Sequence, residues 1–351
     1  MCRFISTLFA STLLMSSACF GVEYTLVGLG ALDGGRNPYS QAYGINDSGQ
    51  VVGQSSSTLG TQAFIWDSVN GMQGLGFLPG GQKVSRARDI NELGQVAGYA
   101  GTISGNEAFY WDAVGGMIGL GDLAEGVFDS VATSINNASQ VVGRGNSASG
   151  YEAFLWDAVN GLQGLGDFAG GNFESRARAI NNAGWITGFA TLDVGVHAFL
   201  RRGDGCLISI GDLPGGSVTA IGLGINDAGQ VVGSSSDGVA QISIPTIWDS
   251  VNGMVSLGLL PGGRSNGDAF EINDKGQVVG RSDSETGVQA FYWDKASGMI
   301  ALLDTIKDGS AAGWTLDEAQ DINSQGQIVG WGTNPLGRVE AYLLNPVNVL
   351  P

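Results

Sequence analysis

Short apolar segments separated by polar turns alternate along nearly the whole chain. One turn recurs, first as GINDSGQVVG at residues 44–53 and then as DINELGQVAG, SINNASQVVG, AINNAGWITG, GINDAGQVVG, EINDKGQVVG and DINSQGQIVG. The segments are rich in Val, Ile, Phe, Trp and Leu, and Gly, Asn, Asp or Ser bound them, which is typical of strands and turns. No stretch has a helical period long enough to compete. The pattern predicts an all-β fold.

The recurring turn defines seven sequence units. Their isoleucines are spaced by 45 residues four times and then by 47 and 50, at Ile45, Ile90, Ile135, Ile180, Ile225, Ile272 and Ile322. Each unit carries four segments, such as SRARDIN, QVVG, AFYWD and GMIGLG. Four strands in about 45 residues match the period of a propeller blade. One unit cannot bury enough apolar surface to offset its own ordering, so the units must stack into one body.

The two ends of the repeat array favour a closed ring over an open solenoid. The segment YTLVGLG at residues 24–30 matches the fourth segment of a unit, whereas EAYLLNP near the C-terminus is a third segment. Pairing these two segments completes the last unit. The sequence therefore predicts a seven-bladed β-propeller of four-stranded blades, closed by pairing of the N-terminal strand with the C-terminal blade.

The first 21 residues have the composition of a secretory signal peptide. Arg3 precedes an apolar run that ends near Met15, and small residues follow at 16–18. The expected organisation is a signal peptide at residues 1–21 and a single propeller domain at 22–351. We expect an exported protein, extracellular or periplasmic, without a transmembrane segment. Lipidation of Cys19 is the alternative.

Metal and cofactor sites are not expected. The Asn-Asp-x-Gly turn could suggest a calcium loop, but the aspartate at position 47 becomes Glu, Asn or Ser in other units and no second acid follows at ligand spacing. The sequence favours a plain turn. His197 is the only histidine, and Gln or Glu replaces it in five other units, so we interpret it as a polar strand residue rather than a catalytic base. No catalytic residue is predicted.

Two other residue types are interpreted as structural. A tryptophan recurs at one position in five units, which favours packing between blades over sugar stacking; the residues are Trp66, Trp111, Trp156, Trp248 and Trp293. Cys206 stands where another unit has the turn glycine Gly71, so exposure is expected. The cysteine is a tolerated turn substitution or, as the alternative, a contact between chains of an otherwise monomeric protein.

Charge points to one candidate site. The formal net charge is −17, which argues against nucleic-acid partners. Against this background, two units carry SRAR before Ile-Asn, giving the candidate ligand-binding residues Arg86, Arg88, Arg176 and Arg178. Arginines at the start of innermost strands would lie near the channel mouth, where they could hold a carboxylate or an anionic glycan. The alternative is internal pairing with acids such as Asp89, Asp129 and Glu174. A further basic pair, Arg201-Arg202, replaces Trp-Asp in the fourth unit.

The repeats resemble those of the HAF family of probable extracellular repeat proteins of bacteria. The elements that carry the resemblance are IND-x-G-QVVG, AF-x-WD, GM and LG-x-L-x-GG, together with one His-Ala-Phe tripeptide at residues 197–199. The resemblance covers residues 22–351 almost completely. It implies an exported bacterial protein and no particular activity.

Two classes of function follow from these observations. The main expectation is an exported, non-catalytic propeller that serves as a binding or structural module for a glycan, a peptide or another protein. The alternative is a glycan-active enzyme, a glycosidase or a lyase, on the same scaffold. A propeller fold by itself does not discriminate between them.

Overall fold

A computed structural model describes residues 22–33, 37–168, 174–203, 205–215, 219–236 and 242–347. The expected signal peptide at residues 1–21 and the lipidation alternative at Cys19 lie outside these residues. Within them, no helix is long and apolar enough to cross a membrane.

The described residues form 28 strands in seven four-stranded antiparallel sheets, which confirms the predicted all-β seven-bladed propeller. The first strands are β1 (Glu23–Gly28), β2 (Ser40–Ile45), β3 (Val51–Ser57), β4 (Gly60–Asp67), β5 (Gly71–Gly76), β6 (Ser85–Ile90), β7 (Val96–Gly101), β8 (Asn106–Asp112), β9 (Gly116–Gly119), β10 (Val131–Ile135), β11 (Val141–Ser147), β12 (Gly150–Asp157) and β13 (Gly161–Gly164). They continue with β14 (Ser175–Ile180), β15 (Ile186–Leu192), β16 (Gly195–Arg201), β17 (Ile208–Ser209), β18 (Ala220–Ile225), β19 (Val231–Ser236), β20 (Ser243–Asp249), β21 (Gly253–Ser256), β22 (Gly267–Ile272), β23 (Val278–Ser284), β24 (Gly287–Asp294), β25 (Gly298–Ala301), β26 (Thr315–Ile322), β27 (Ile328–Thr333) and β28 (Val339–Val347).

Blades 1 to 6 each consist of four consecutive strands, beginning with β2–β5 and ending with β22–β25. Blade 7 has the order β1-β28-β27-β26, so its outermost strand comes from the N-terminal end of the described chain. β1 pairs antiparallel with β28 from Glu23 opposite Val347 to Gly28 opposite Tyr342. Tyr24 and Leu26 are buried in the core of this blade.

The core lies between neighbouring blades. Each of seven apolar clusters combines side chains from two blades; one of them joins Val52 and Ala63 of blade 1 to Val96 and Phe109 of blade 2. The five recurring tryptophans pack at the edges of five of these clusters. The predicted packing role of the tryptophans is confirmed.

The recurring Ile-Asn turn has a second role besides reversing the chain. Its Asn side chain accepts a hydrogen bond from the backbone four residues later, as Asn46 Oδ1 does from Gln50 at 3.0 Å, and Gly49 takes the left-handed conformation at φ 73°. The Asn46 amide nitrogen also donates to the Asn91 carbonyl of the next blade at 3.1 Å. The same bond recurs at all seven interfaces and returns from Asn323 to Asn46. The motif is a turn, as predicted, and it also links each blade to the next.

The innermost strands carry a bulge that determines the lining of the channel. In every blade the register shifts at the residue two positions before the isoleucine, so that this residue is unpaired. A bulge redirects a side chain and bends the strand. The seven bulged residues all line the central cavity, and they are Tyr43, Arg88, Thr133, Arg178, Leu223, Phe270 and Gln320.

Candidate functional site

A central cavity of about 1070 Å³ runs along the axis of the propeller. The first strand of every blade contributes to its wall. We call the end at which these strands begin the upper end and the end at which the seven Asn turns lie the lower end. The wall extends from upper residues such as Arg176 to lower residues such as Asn182.

At the upper end of the channel, one cross-strand pair in each blade contributes at least one lining residue, and the repeats differ at these positions. Each pair joins an inner strand to the second strand of the same blade: Gln41 with Gln54, Arg86 with Tyr99, Val131 with Arg144, Arg176 with Phe189, Ile221 with Ser234, Asp268 with Arg281, and Glu318 with Trp331. No two pairs are alike. The repeated residues build the scaffold, whereas these positions make one side of the channel different from the other.

The two bulged arginines lie on blades 2 and 4. The guanidinium of Arg88 lies 4.6 Å from the ring centre of Tyr43 and 5.5 Å from that of Tyr99, so aromatic rings flank the cation. The Arg178 guanidinium lies 5.5 Å from the ring of Phe189. In the described part of the chain, neither arginine forms a salt bridge.

The other predicted arginines behave differently. Arg176 lines the channel and pairs with Glu174 at 2.7 Å, as the internal-pairing alternative predicted. Arg86 donates to the Tyr99 hydroxyl at 2.9 Å and is not among the lining residues. Asp129 pairs at 3.1 Å with Arg144, which is not one of the predicted arginines. We call the group formed by Arg86, Arg88, Arg144, Arg176 and Arg178 the arginine wall; all of them except Arg86 line the cavity.

The arginine wall has more positive charge than its own acids neutralise. Among the described residues, only two of the five arginines form a salt bridge, and the Nε atoms of Arg86, Arg176 and Arg178 are buried without a hydrogen-bond partner. Burial, followed by the charges of Arg176, Arg88 and Arg144, lowers the pKa of Arg178 to about 10. A bound anion would offset both the repulsion and the unmet hydrogen bonds.

The opposite wall belongs to blades 6 and 7 and is acidic. Arg281 is held by Asp268 at 3.0 Å and by Glu318 at 2.7 Å, so here one arginine faces two carboxylates. Gln320 donates to the second oxygen of Glu318 at 2.6 Å, and Trp331 also lines the cavity. We call this surface the acidic wall.

Three buried carboxyls lie lower in the channel, next to the isoleucines. Asp89 accepts hydrogen bonds from Ser134 Oγ at 2.7 Å and from the Ile135 amide of the next blade at 2.9 Å. Asp321 accepts one from the Ile45 amide at 2.7 Å, across the interface between blades 7 and 1. The third is Glu271. Burial raises the pKa of all three, and for Asp321 burial and the charge of Asp89 raise it to about 7.

Stability should therefore fall as the pH rises through neutrality. Between the ordinary pKa of 3.8 and the folded pKa of about 7, the folded protein holds a proton on Asp321 that the unfolded chain releases. The stabilisation is complete below about pH 4, decreases as the pH rises, and is lost above about pH 7. The loss is a few kcal/mol, because each unit of pKa difference between the folded and unfolded states corresponds to about 1.4 kcal/mol. Asp321→Asn should flatten this slope in thermal denaturation across that range. Asp67→Asn, at an exposed turn where the pKa is lowered, should not change it.

Two phenols accompany the arginine wall. Tyr43 receives a hydrogen bond from Gln54 at 3.1 Å and donates to Gln41 at 3.0 Å. Burial raises the pKa of Tyr43, while the charges of Arg88 and Arg86 act in the opposite direction. Tyr99 accepts its hydrogen bond from a guanidinium. Both phenols line the cavity beside cations that have no acid partner in the described chain.

The remaining candidates from the sequence lie away from the channel. His197 is on the third strand of blade 4 and contacts Phe168 edge-on at 6.3 Å between ring centres. Cys206 is exposed, as expected, and is a free cysteine within the described part of the chain. Arg202 lies 4.3 Å above the ring of Trp185, and Arg201 bonds the Gly203 carbonyl. These residues do not join the arginine wall.

Several channel residues were missed by reasoning on motifs alone, namely Tyr43, Tyr99, Arg144, Asp268, Arg281, Glu318 and Trp331. Arg144, Arg281 and Trp331 follow the QVVG-type segment by one residue, and in other repeats this position holds Gln, Tyr, Phe or Ser. The signal that could have found them is variation among otherwise similar repeats. A residue that differs among otherwise similar repeats is not needed to form the blade, so it is a candidate for a role in the site.

Comparison with solved structures gives similar propellers at 10% sequence identity. The β-propeller domain of the Trilobed protease from Pyrococcus furiosus, described as having an open velcro topology, aligns over 89% of this chain and 94% of that one with a TM-score of 0.56. The acylaminoacyl peptidase of Pyrococcus horikoshii aligns over 88% of this chain with a TM-score of 0.53, and this chain spans about half of its length (52%). XC5397 of Xanthomonas campestris, a gluconolactonase, gives a TM-score of 0.48 over 92% and 90% of the two chains.

No family model and no curated protein matches the sequence. The resemblance to the HAF family therefore stays a prediction. At 10% identity the structural likeness establishes the fold alone.

The comparisons contradict the expectation of a non-catalytic binding or structural module. The similar solved propellers belong to a protease and a peptidase, so the non-catalytic expectation is not retained and the enzymatic alternative stays a proposal.

Proposed function

We propose that this protein is a lyase that cleaves a uronate-containing glycan in its central channel. The observation that carries the proposal is a pair of half-buried channel arginines that lack an acid partner among the described residues. Arg88 stands beside two phenols, and Arg178 stands beside Phe189. Both arginines belong to the ligand-binding set predicted from the sequence. The bound group would be the carboxylate of the sugar.

The chemistry of elimination matches these groups. Neutralising the sugar carboxylate makes the adjacent C5 proton more acidic, and guanidinium groups do this by bidentate hydrogen bonding. A base then takes the C5 proton, the C4–C5 double bond forms, and the bond from C4 to the bridging oxygen breaks. An acid donates a proton to that oxygen, which leaves as a hydroxyl. No external oxidant or reductant is needed.

We assign the two proton transfers to the phenols. Tyr43 is suited to be the acid because burial raises its pKa, so it retains a proton to donate. Tyr99, whose oxygen accepts a hydrogen bond from Arg86, would accept the C5 proton. Exchange with water would restore both groups after each turnover. Arg88 lies between the two rings and would hold the carboxylate next to them.

Hydrolysis fits the channel less well. A glycosidase needs one carboxylic acid and one free carboxylate on either side of the bond. Asp268 and Glu318 are held by Arg281, and Asp89 and Asp321 are engaged by backbone amides. The hydroxyls of Tyr43 and Tyr99, in contrast, form no hydrogen bond to a carboxylate of the arginine wall in the described chain.

The test is formation of an unsaturated product. Incubation with uronate polymers should yield oligosaccharides with a new ultraviolet absorption, because the double bond is conjugated with the carboxylate. Tyr99→Phe should lower kcat by about 10²- to 10⁴-fold. Tyr39→Phe, which removes a hydroxyl bonded to Thr61 outside the channel, is the matched control and should leave kcat unchanged. Reducing ends without ultraviolet absorption would show hydrolysis and refute the elimination.

We also propose that the protein acts outside the cytoplasm. The signal-peptide composition of residues 1–21 and the resemblance to HAF-repeat proteins support export. A polymeric glycan would then be available without transport across a membrane.

A further inference from the structure

The channel has one arginine wall and one acidic wall. At the upper end, the four lining arginines of blades 2–4 have two acidic salt-bridge partners, whereas on blades 6 and 7 one arginine is held by two acids. A ring of seven blades places these groups of blades across the axis from each other. A substrate in the cavity therefore meets walls of opposite net charge.

We infer that the substrate is a glycan in which the uronate is bonded to an uncharged sugar, not a homopolymer of uronates. This inference rests on the proposed function. The arginine wall takes the carboxylate of the residue to be cleaved. The neighbouring residue then lies toward Asp268 and Glu318, which would repel a second carboxylate.

The acidic wall has the groups that bind an uncharged sugar. Carboxylate oxygens of Asp268 and Glu318 can accept hydrogen bonds from sugar hydroxyls, and Gln320 can donate. Trp331 and Phe270 also line this side and offer apolar faces to the ring of the sugar. Arg281 keeps both carboxylates in place through bonds of 2.7–3.1 Å, so the acceptors are positioned before the ligand arrives.

The lower end of the channel also disfavours a homopolymer of uronates. Asp47, Glu92, Asp227 and Asp274 occupy the turn ring at this end and line the cavity. A homopolymer of uronates passing along the axis would place carboxylates against them. A uronate unit of the substrate is therefore attracted at the arginine wall and repelled by the carboxylates elsewhere along the channel.

The experiment compares polymers of two types. Hyaluronan and unsulfated chondroitin alternate a uronate with an uncharged amino sugar derivative, whereas polygalacturonate and alginate contain uronates throughout. We expect kcat/KM, and binding affinity measured by calorimetry, to be at least about tenfold higher for the alternating polymers. Equal or higher values for the homopolymers would overturn the inference.

Variants that remove a charge test which wall of the channel causes the preference for alternating polymers. Asp268→Asn combined with Glu318→Gln should raise binding and cleavage of the homopolymers by about tenfold or more and reduce the preference. Asp129→Asn makes the same kind of change on the arginine wall, so it should strengthen binding of both polymer types and keep their ratio. An unchanged ratio in the folded double variant, checked by thermal denaturation, would overturn the inference. Selective binding without unsaturated product would instead refute only the proposed lyase activity.

Discussion

A chain that lacks residues 23–28 is expected to aggregate or to unfold at a much lower temperature than the complete chain. β1 is the outermost strand of blade 7 and makes six paired positions with β28. Its removal exposes the edge of β28 and the apolar surface that Tyr24 and Leu26 cover. An exposed apolar edge strand pairs readily with other chains.

The energetic effect should be large relative to the whole stability. Tyr24 and Leu26 are 1% and 7% exposed, and burial of each contributes about 1.5–3 kcal/mol. The deletion also removes the bonds from Leu26 to Ser310 and from Thr25 to Asp308. Together with the lost backbone pairs, the cost should reach about 5 kcal/mol or more, which is comparable to the total stability of many domains.

Thermal denaturation and light scattering would measure this effect. Truncation before Val22 and the substitution Val27→Ala, at a side chain that is 37% exposed, are the controls and should change stability little. A peptide covering residues 22–30, added in trans, should restore part of the lost stability because it can pair with β28. A deletion variant that stays monomeric with an unchanged Tm would show that the ring does not depend on this strand.

The fold was predictable because its determinants are repeated. The number of similar turns, together with the partial units that flank them, predicts the number of blades. The residues that predict each strand lie within that strand and its flanking turns. The bridging role of Asn46 was not predictable, because a bond to Asn91 depends on how two blades pack. An Asn in a turn has the same local signature with or without such a bond.

The site was only partly predictable, and the reason is the bulge. Arg88 and Arg178 were singled out by charge, but charge does not determine the side of a strand on which a residue lies. The register shift at these positions redirects them into the channel, and a shift of one residue inverts the faces of a strand. Tyr99 and Arg144 lie on the second strands, so their contribution depends on cross-strand pairing that the motif alone does not contain.

Replacing Arg88 and Arg178 together with Met should abolish most of the proposed activity without lowering the stability. Methionine keeps much of the length and apolar volume of the arginine side chain but carries no charge. Each lost charge-assisted bond to the sugar carboxylate costs about 1.5–3 kcal/mol, so kcat/KM should fall by about 10²- to 10⁴-fold. Cleavage of uronate polymers, followed by ultraviolet absorption, measures this loss.

The stability of the same variant separates a binding role from a structural one. Arg178 is buried near Arg176, Arg88 and Arg144, and both burial and repulsion lower its pKa, so the charged form is unfavourable in the folded protein without a ligand. Removing the charge should leave Tm unchanged or raise it, as is common where a site is kept for function at the expense of stability. Arg281→Met is the contrasting control: it leaves Asp268 and Glu318 without their cation and should lower Tm. A loss of stability in the Arg88 and Arg178 variant equal to that of Arg281→Met, with cleavage retained, would assign these arginines to the scaffold.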